Sequence, residues 1–391
     1  MSNIAITGVN FINKGAELMT LSILKEFSNH EQYNNISAPL RTGNFKQRNC
    51  LGVGHFIFPK REKTLDPQRI LKLTSYSILY NILSISPNYF LKKYSLFLEE
   101  DINVILDASG FVYSDQWGKN LSEYFSQLYL QWYKQGKKII LLPQAFGPFN
   151  NKEVKKAFLT IVECSTCIYA RDEISYKHLV DLVGIQDKIR LAPDFTNLLE
   201  GIEDKKYNNL KMRPCIIPNT RMIDKQSESS GENYYSLISS IINRLIDRGL
   251  EPFILVHEIN DVELSDNLKK SVKKEIPVIN EENPLLLKGI IKNCSFVISS
   301  RFHGLISSLS QGVPCLGAGW SHKYRMLFQD YKCLDLLMNV EDDLSINLNK
   351  LNTLIDKSNR DLLQKTIADN AFKQKELSKK MWNEVKMIIS N

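Results

Sequence analysis

The sequence predicts an α/β fold made of two Rossmann-like domains that face each other across a cleft. Strand-like and helix-like segments alternate along the chain, a pattern that favours parallel sheets covered by helices. The alternation pauses at a polar, charged and Asn-rich stretch, Glu200–Leu210, and then restarts. The length of 391 residues also suits two domains, at about 150 residues per domain.

The first predicted domain spans residues 1–203. Short apolar runs predict its strands, and the longer mixed segments between them predict its helices. The predicted strands are Asn3–Gly8, Asn103–Leu106, Lys138–Pro143, Ile168–Ala170 and Ile189–Ala192, and the predicted helices are Gly15–Phe27, Leu121–Lys134, Lys152–Val162 and Ile174–Leu182.

The second predicted domain spans residues 204–391 and repeats the same alternation. Its predicted strands are Cys215–Ile217, Phe253–Val256, Phe296–Ile298 and Cys315–Gly317, and its predicted helices are Tyr234–Arg248, Pro284–Lys292 and Gly304–Ser310. A long helical pattern from Arg360 to Ser390 predicts a helical tail that ends the domain.

Residues 41–95 fit this alternation least well and are predicted to be an insertion in the first domain. Its first part is basic, and aromatic and aliphatic residues follow between positions 76 and 83. One reading is a segment that touches a membrane or an acceptor; the other is a solvated loop with a helix packed on the core. The basic residues are Arg41, Lys46, Arg48, Lys60, Arg61 and Lys63.

Composition excludes some classes of protein. The net charge of +7 is compatible with anionic substrates or a membrane surface, but it is too diffuse to indicate nucleic-acid binding. Seven scattered cysteines suit a reducing compartment. The single CxxC, Cys164–Cys167, is expected to be simply buried, and no spacing typical of a metal site is seen.

The N-terminus leads directly into a predicted strand, so no secretory signal is visible. No apolar run approaches the ~20 residues that would span a bilayer. We therefore expect a cytoplasmic protein, and peripheral contact with the inner face of the membrane is compatible with its charge.

The segment 299–304, Ser-Ser-Arg-Phe-His-Gly, is the most informative motif. It joins a predicted buried strand to a helix, so Arg301 and His303 stand at the carboxyl end of a strand and over a helix N-terminus, where anions bind. Arg301 can give two parallel hydrogen bonds to a phosphate or carboxylate, and His303 can move a proton near neutral pH. The alternative is a histidine that only caps the helix.

Other turns at the ends of predicted strands extend this pattern. Asn13, Lys14 and Gly15 lie between the first strand and the first helix, where Gly15 lets the backbone approach a ligand. This turn has neither a GxGxxG nor a Walker pattern. His322 and Lys323 follow the strand after the Arg301 helix, where the alternative is a plain surface loop.

Four turns in the first domain are also polar or Gly-rich, which suggests the rim of a binding cleft. Arg171 in the third turn can reach a phosphate, or Asp172 can serve as a helix N-cap beside a solvated Arg171. The turns are Asp107–Phe111, Pro143–Phe149, Ala170–Glu173 and Pro193-Asp194.

Taken together and in order, these segments resemble the polysaccharide pyruvyl transferase family over nearly the whole chain. The resemblance rests on Asn13–Glu17, Pro143–Phe149, Ala170–Ser175, Pro193-Asp194, Ser300–Gly304, and Gly312-x-Pro314 with Lys323 downstream. The chain departs from the common family pattern at Asp107–Gly110, where many members carry a Gly-Gly-Gly run, and at Gln144–Gly147.

The resemblance implies a fold similar to glycosyltransferases of the GT-B type, with residues 1–203 on the acceptor side and residues 204–391 on the donor side. It also implies transfer of pyruvate from phosphoenolpyruvate to a sugar of a surface polysaccharide or its lipid-linked precursor, with ketal formation and phosphate release, without a cofactor or a metal. His303 and Arg301 match the family's catalytic Arg-x-His. Substrate-binding roles are expected for Arg171, Lys323, Asn13, Gly15, Gln144 and His322.

Two other functions remain open at this point. A nucleotide-sugar-dependent glycosyltransferase could use the same scaffold, since an anion site over a helix suits a diphosphate equally well, with Glu258 as a candidate ribose ligand. The other is a non-catalytic member that binds an anionic glycan or joins a capsule-assembly complex, against which the intact Arg301 and His303 pair argues.

Overall fold

The computed structural model of the chain describes residues 2–11, 13–27, 35–59, 77–224 and 228–390. Contacts divide the chain into two compact units. Unit 1 comprises Met1–Phe11, Ile23–Ala192 and Trp382–Asn391, and unit 2 comprises Ile12–Ser22 and Pro193–Met381.

Unit 1 contains one parallel sheet of eight strands in the order β4-β3-β2-β1-β5-β6-β7-β8. The strands are β1 (Asn3–Thr7), β2 (Asn35–Pro39), β3 (Gly54–Ile57), β4 (Leu96–Leu98), β5 (Val104–Asp107), β6 (Lys138–Gln144), β7 (Cys167–Ala170) and β8 (Ile189–Leu191). The helices of this half are α1 (Lys14–Phe27, which begins in unit 2), α2 (Phe45–Cys50), α3 (77–84), α4 (Asn88–Lys93), α5 (Lys119–Lys134), α6 (Lys152–Cys164) and α7 (Glu173–Val183).

Unit 2 contains a second parallel sheet of six strands in the order β11-β10-β9-β12-β13-β14. The strands are β9 (Cys215–Ile217), β10 (Phe253–Val256), β11 (Val278–Asn280), β12 (Val297–Ser299), β13 (Cys315–Ala318) and β14 (Leu337–Met338). The helices are α8 (Arg221–Asp224), α9 (Glu228–Asp247), α10 (Val262–Ser271), α11 (Pro284–Lys292), α12 (Phe302–Leu309), α13 (His322–Asp330), α14 (Leu344–Ile355) and α15 (Lys357–Ser390).

These two sheets confirm the predicted fold class of two parallel-sheet α/β domains. Most apolar runs that predict strands are buried along their length, as parallel strands covered on both faces must be, whereas in the edge strand β8 Leu191 is exposed. Five strands were not predicted, namely β2, β3, β4, β11 and β14, because each is short and has no long apolar run.

The predicted insertion, residues 41–95, contributes to the sheet. Gly54–Ile57 lies inside it and pairs in the sheet as β3, while Lys60, Arg61 and Lys63 lie outside the described residues.

Two segments belong to a different unit from the one that the linear order suggests. The end of the tail belongs to unit 1, where Lys138 Nζ donates to the Ile388 carbonyl oxygen at 3.0 Å and Arg190 pairs with Glu384 at 2.9 Å. Residues 12–22 belong to unit 2, where Asn13 forms a β-bridge with Glu258. Local sequence patterns carry no signal for such long-range contacts.

Each unit has its own apolar core. In unit 1, Trp132, Tyr129 and Phe158 lie among the fully buried side chains that helices α5 and α6 pack under the sheet. Cys164 and Cys167 are both buried and free, which confirms the expected burial of the CxxC. Among the described residues, no helix has the length and apolar character needed to cross a membrane.

Gly289 in α11 lies in close contact with the segment 200–204 of unit 2. An added Cβ would lie 1.8 Å from the Ile202 carbonyl oxygen, which is backbone and cannot simply rotate away. We expect Gly289→Ala to lower the free energy of unfolding by about 1–3 kcal/mol, because overpacking outweighs the gain in helix propensity.

Denaturant unfolding measures this change. Gly231→Ala in α9 is the matched control, since its nearest new contact is the movable Ile223 side chain at 3.2 Å. An equal effect of both substitutions would contradict the close approach at Gly289.

Candidate functional site

The candidate site of unit 2 lies where the strand order of its sheet reverses. From β9 the chain adds β10 and β11 on one side, and β12, β13 and β14 on the other. Ligands of parallel α/β sheets bind at the carboxyl ends of the strands at such a point. Here Asn219, two residues beyond β9, donates from Nδ2 to the Ser300 carbonyl oxygen at 2.8 Å and so joins the ends of β9 and β12.

Arg301 lies two residues beyond the end of β12 at this point and is held by two carboxylates. Its Nε donates to Asp261 Oδ2 at 2.7 Å, its NH2 group donates to Asp261 Oδ1, and its NH1 group donates to Glu258 Oε2. All three side chains are buried. Because a guanidinium carries five N–H donors, these three bonds leave two for a ligand.

The two carboxylates keep Arg301 charged despite its burial. Burial acts to lower the pKa of the guanidinium, but the hydrogen bonds and charges of Asp261 and Glu258 outweigh it, and the net pKa is raised. Asp261 is itself fixed, since it accepts from the Thr220 backbone N–H at 3.0 Å. Arg301 is thus anchored to the loop after β10, and its predicted direct contact with an anion stays a prediction.

Asn13 and Gly15 reach this network from the start of α1. Asn13 pairs through its backbone with Glu258, and its Oδ1 accepts from the Gly15 N–H at 2.8 Å. An added Cβ on Gly15 would lie 2.1 Å from His303 Nδ1. The structure therefore explains this glycine by its close approach to the His303 ring.

His303 is the second residue of helix α12, and its Nε2 atom faces a carboxylate. His303 Nε2 lies 3.6 Å from Asp194 Oδ2, and both side chains are largely buried. The opposite oxygen of Asp194 accepts from the Thr196 N–H at 3.0 Å and from the Thr196 hydroxyl at 2.6 Å. The Nε2 atom of His303 therefore lies beside a carboxylate whose position is fixed.

Lys323 and His322 begin helix α13 beside the same helix start. Lys323 Nζ lies 5.1 Å from the centre of the Phe302 ring, and that ring meets the His303 ring edge to face at 5.8 Å. Tyr324 donates from its hydroxyl to the Ser300 carbonyl oxygen at 3.0 Å, which ties α13 to the end of β12. The two predicted site residues, His322 and Lys323, are half-buried in unit 2, close to the Arg301 loop.

His257 is a residue of this site that the sequence analysis missed. It follows β10 and precedes Glu258, and only 2% of its surface is exposed. Among the described residues, neither ring nitrogen hydrogen-bonds to another residue. Burial, together with the positive charges of Arg301, His303 and Lys14, lowers its pKa well below the usual value. The sequence does place His257 at the carboxyl end of a predicted strand, and this position could have marked it as a site residue.

The remaining two predicted residues, Gln144 and Arg171, lie in unit 1. Gln144 is the last residue of β6, and its backbone carbonyl accepts from the Arg171 N–H at 3.0 Å. Asp172 caps helix α7 by accepting from the Ser175 N–H at 2.8 Å, as the N-cap reading of this turn predicts. Within the described ranges, no group of three or more His, Cys, Asp or Glu side chains is placed to hold a metal ion.

The comparison with protein families gives one match. A family model described as polysaccharide pyruvyl transferase matches residues 13–322, which is more than half of the chain. The matched range includes every predicted site residue except Lys323, which follows it directly. No curated protein matches the sequence.

Solved structures with the same fold cover nearly the whole chain at low sequence identity. The MnaA–UDP co-structure from S. aureus has a TM-score of 0.63 and 12% identity, and the match covers 100% of this chain and 97% of that one. Anabaena Alr3699/HepE in complex with UDP-glucose has a TM-score of 0.61 and 8% identity, covering 99% and 100% of the two chains. The UDP-GlcNAc 2-epimerase from Neisseria meningitidis bound to UDP-GlcNAc has a TM-score of 0.57 and 12% identity, covering 100% and 99%.

We expect Gly15→Ala to displace the His303 ring without unfolding the protein. The new methyl group would overlap the ring, and a side chain moves more easily than the backbone of α1. Nitrogen NMR of the histidine side chains should show a changed signal for His303. Gly231→Ala adds the same methyl group to another helix of unit 2 and should leave that signal unchanged; an unchanged signal in Gly15→Ala would contradict the contact.

The depressed pKa of His257 predicts a pH dependence of stability. The unfolded histidine titrates near pH ~6.5, whereas the folded one stays neutral well below that. As the pH falls below ~6.5, only the unfolded state gains this proton, so this group should lower the free energy of unfolding by about 1.4 kcal/mol per pH unit until the folded pKa is reached.

The measurement is denaturant unfolding of wild type and His257→Gln from about pH 8 to about pH 5. The variant lacks the titrating group, so the wild-type curve should fall more steeply on the acid side. Parallel curves would show that His257 is not held neutral in the folded protein.

Proposed function

Because the chain belongs to the polysaccharide pyruvyl transferase family, we propose that it transfers pyruvate from phosphoenolpyruvate to a sugar. The acceptor is a sugar of a surface polysaccharide or its lipid-linked precursor. Two sugar hydroxyls become the oxygens of a cyclic ketal, and phosphate is released. No cofactor is expected, since phosphoenolpyruvate is itself the activated donor.

The observation that carries the proposal is the placement of His303. It stands at the start of a helix at the switch point of the unit 2 sheet, with a fixed carboxylate 3.6 Å from its Nε2. A helix start favours an anionic ligand, and the carboxylate of Asp194 favours a ring that carries a proton to give away. Both properties suit a general acid that protonates an anionic enol phosphate.

The donor carries a phosphate and a carboxylate, and cationic groups are available for both. Arg301 has two N–H donors beyond its three internal bonds, and Lys323 lies beside Phe302 at the same helix start. We propose that Arg301 and Lys323 bind the two anionic ends, while Asp261 and Glu258 hold Arg301 in place. A donor-binding role for Arg171 in unit 1 stays an expectation of the family resemblance.

The proposed reaction balances with these residues. His303 gives its proton to the methylene carbon of phosphoenolpyruvate, which makes the adjacent carbon electrophilic. One sugar hydroxyl adds to that carbon, and a second hydroxyl then displaces the phosphate. Of the two hydroxyl protons released, one restores His303 and the other leaves with the phosphate.

The proposed location is the cytoplasm, with the acceptor reached at the inner face of the membrane. All seven cysteines are free, which suits a reducing compartment. The excess of positive charge, +7, is compatible with an anionic membrane surface and with a pyrophosphate-linked acceptor.

A nucleotide sugar as the donor is the alternative, because structures of this fold include complexes with UDP, UDP-glucose and UDP-GlcNAc. That function requires a carboxylate that is available to a ribose. Glu258, the candidate, is buried and bonded to Arg301 and Asn260. Stabilisation of the protein by UDP-sugars but not by phosphoenolpyruvate in a thermal-shift assay would favour the alternative.

The test of the proposed function is phosphate release from phosphoenolpyruvate with a panel of synthetic and lipid-linked sugar acceptors. We expect acceptor-dependent release by wild type and a decrease of about 10²–10⁴-fold in His303→Ala, the range for loss of general acid–base catalysis. Asp194→Asn should decrease the rate less, because it removes only the charge beside the ring.

His55→Gln is the control, since it removes a buried histidine from unit 1, where His55 accepts from Arg48 Nε at 2.9 Å. It should keep the wild-type rate. A His303→Ala variant that stays folded and retains full activity would contradict the role of His303, and release without any sugar would contradict transfer.

A further inference from the structure

The exposed apolar side chains of the described residues are concentrated in one segment of unit 1. Of the 23 large apolar side chains that are exposed, seven lie between positions 78 and 94. They belong to helices α3 and α4 and to the residues beside these helices. Single exposed apolar residues are ordinary on protein surfaces, whereas a contiguous group marks an interaction site. We call the exposed face of residues 78–94 the α3–α4 surface.

The two helices pack on the edge of the sheet through one buried leucine each. Leu83 of α3 and Leu91 of α4 are both buried. They lie in one small apolar cluster with Ile57 of β3 and Leu98 of the edge strand β4. Between the helices, the Ser86 N–H donates to the Leu83 carbonyl oxygen at 3.0 Å. Because this cluster takes up the inner faces of both helices, the remaining apolar side chains point away from it.

The outer faces carry large apolar side chains at high exposure. Ile85 is 85% exposed and Tyr89 is 77% exposed. The rings of Phe90 and Tyr94, one helical turn apart, contact each other with their centres 4.8 Å apart. Transfer of such side chains out of water is favourable, so this surface gains free energy when an apolar phase covers it.

The charges within the same segment are positive. Between positions 77 and 98 the charged residues are Lys92 and Lys93, and both are exposed. Lys93 Nζ lies 5.8 Å from the centre of the Tyr94 ring. The aliphatic stems of these lysines can lie along apolar surface while their ammonium groups meet an anion.

The acidic residues that follow lie beside β4 and bond to the protein. Glu99 is buried, and Asp101 accepts from the Leu98 N–H at 2.8 Å. Glu100 accepts from the hydroxyl of Tyr80 in α3. One carboxylate therefore borders the α3–α4 surface, and the two lysines within it leave an excess of positive charge.

This combination matches the interface of a bilayer that contains anionic lipids. There, aliphatic side chains enter the acyl boundary, tyrosine rings lie at the level of the headgroups, and lysines meet anionic headgroups. A second copy of this chain fits less well, because in a two-fold dimer the same patch faces itself and the lysines of both copies would meet.

We propose that the α3–α4 surface binds the chain to a membrane that contains anionic lipids. The contact is peripheral, since α3 (77–84) and α4 (Asn88–Lys93) are far shorter than the ~20 residues that span a bilayer. The use of this contact to reach a lipid-linked acceptor rests on the proposed function, whereas membrane binding itself does not.

The first experiment measures cosedimentation of the full chain with vesicles of phosphatidylcholine and phosphatidylglycerol. We expect wild type to bind and Ile85→Ser to bind about tenfold more weakly, the effect of one aliphatic side chain that no longer enters the bilayer. Ile185→Ser is the matched control, because Ile185 is 83% exposed in the same unit, and it should bind like wild type. Both variants should keep the wild-type melting temperature, since both side chains are exposed. No binding by wild type, or equal losses in the two variants, would overturn the proposal.

The second experiment tests the lysines. Replacement of Lys92 and Lys93 with Gln should weaken binding to these anionic vesicles about tenfold or more and should leave any binding to phosphatidylcholine alone unchanged. Lys155 and Lys156 of α6 are the matched control, because they are also adjacent and exposed in unit 1. Equal effects of the two double substitutions would show that general positive charge, and not this surface, binds the vesicles, and would overturn the proposal.

Two further measurements separate the other outcomes. Sedimentation velocity without vesicles should give the same mass for wild type and Ile85→Ser; a wild-type dimer that Ile85→Ser dissociates, with no vesicle binding, would assign the surface to a second copy and overturn the proposal. Phosphate release with a water-soluble synthetic acceptor should be equal for both proteins. Vesicle binding that depends on Ile85 in a protein that releases no phosphate would support the surface and contradict the proposed function. Acceptor-dependent release by a protein that binds no vesicles would do the reverse.

Discussion

The buried contact of Arg301 with Asp261 and Glu258 is the constraint on which the unit 2 site depends. It joins the turn after β12 to the loop after β10, across β9, which lies between those strands. Removal of one member of such a buried pair costs about 3–5 kcal/mol, because the other charge is left uncompensated. Helix α12 begins at the next residue, so the position of His303 follows from that of Arg301.

The same contact shapes the electrostatics around it. Arg301 and Lys14 bring positive charge to the ends of β10 and β12, and His257 stays neutral beside them because it is buried. Asp194 and Glu258 supply negative charge at fixed places, one facing His303 and one bonded to Arg301. A site with this division carries positive charge that can attract an anion, and it keeps the His257 imidazole neutral.

Both sheets have a point at which the strand order reverses, but the side chains at that point differ in charge between the two sheets. Each sheet reverses its strand order once, and in each the polar residues gather at the carboxyl ends of the strands beside the reversal. Unit 2 places charged and titratable side chains there, whereas unit 1 places an amide, a hydroxyl and a carboxylate bonded by tyrosines.

The sequence by itself determined the alternation of strands and helices, the two parallel sheets, the place of Arg301 and His303 at a strand–helix junction, and the family. Burial is periodic along each element, so local patterns report it. Only the tertiary structure decided the partners: Glu258 is 43 residues from Arg301 in sequence, and Gly15 meets His303 from the other end of the chain. The lack of a hydrogen-bond partner for the His257 ring among the described residues was equally invisible, because it depends on every residue packed around the ring and leaves no local pattern.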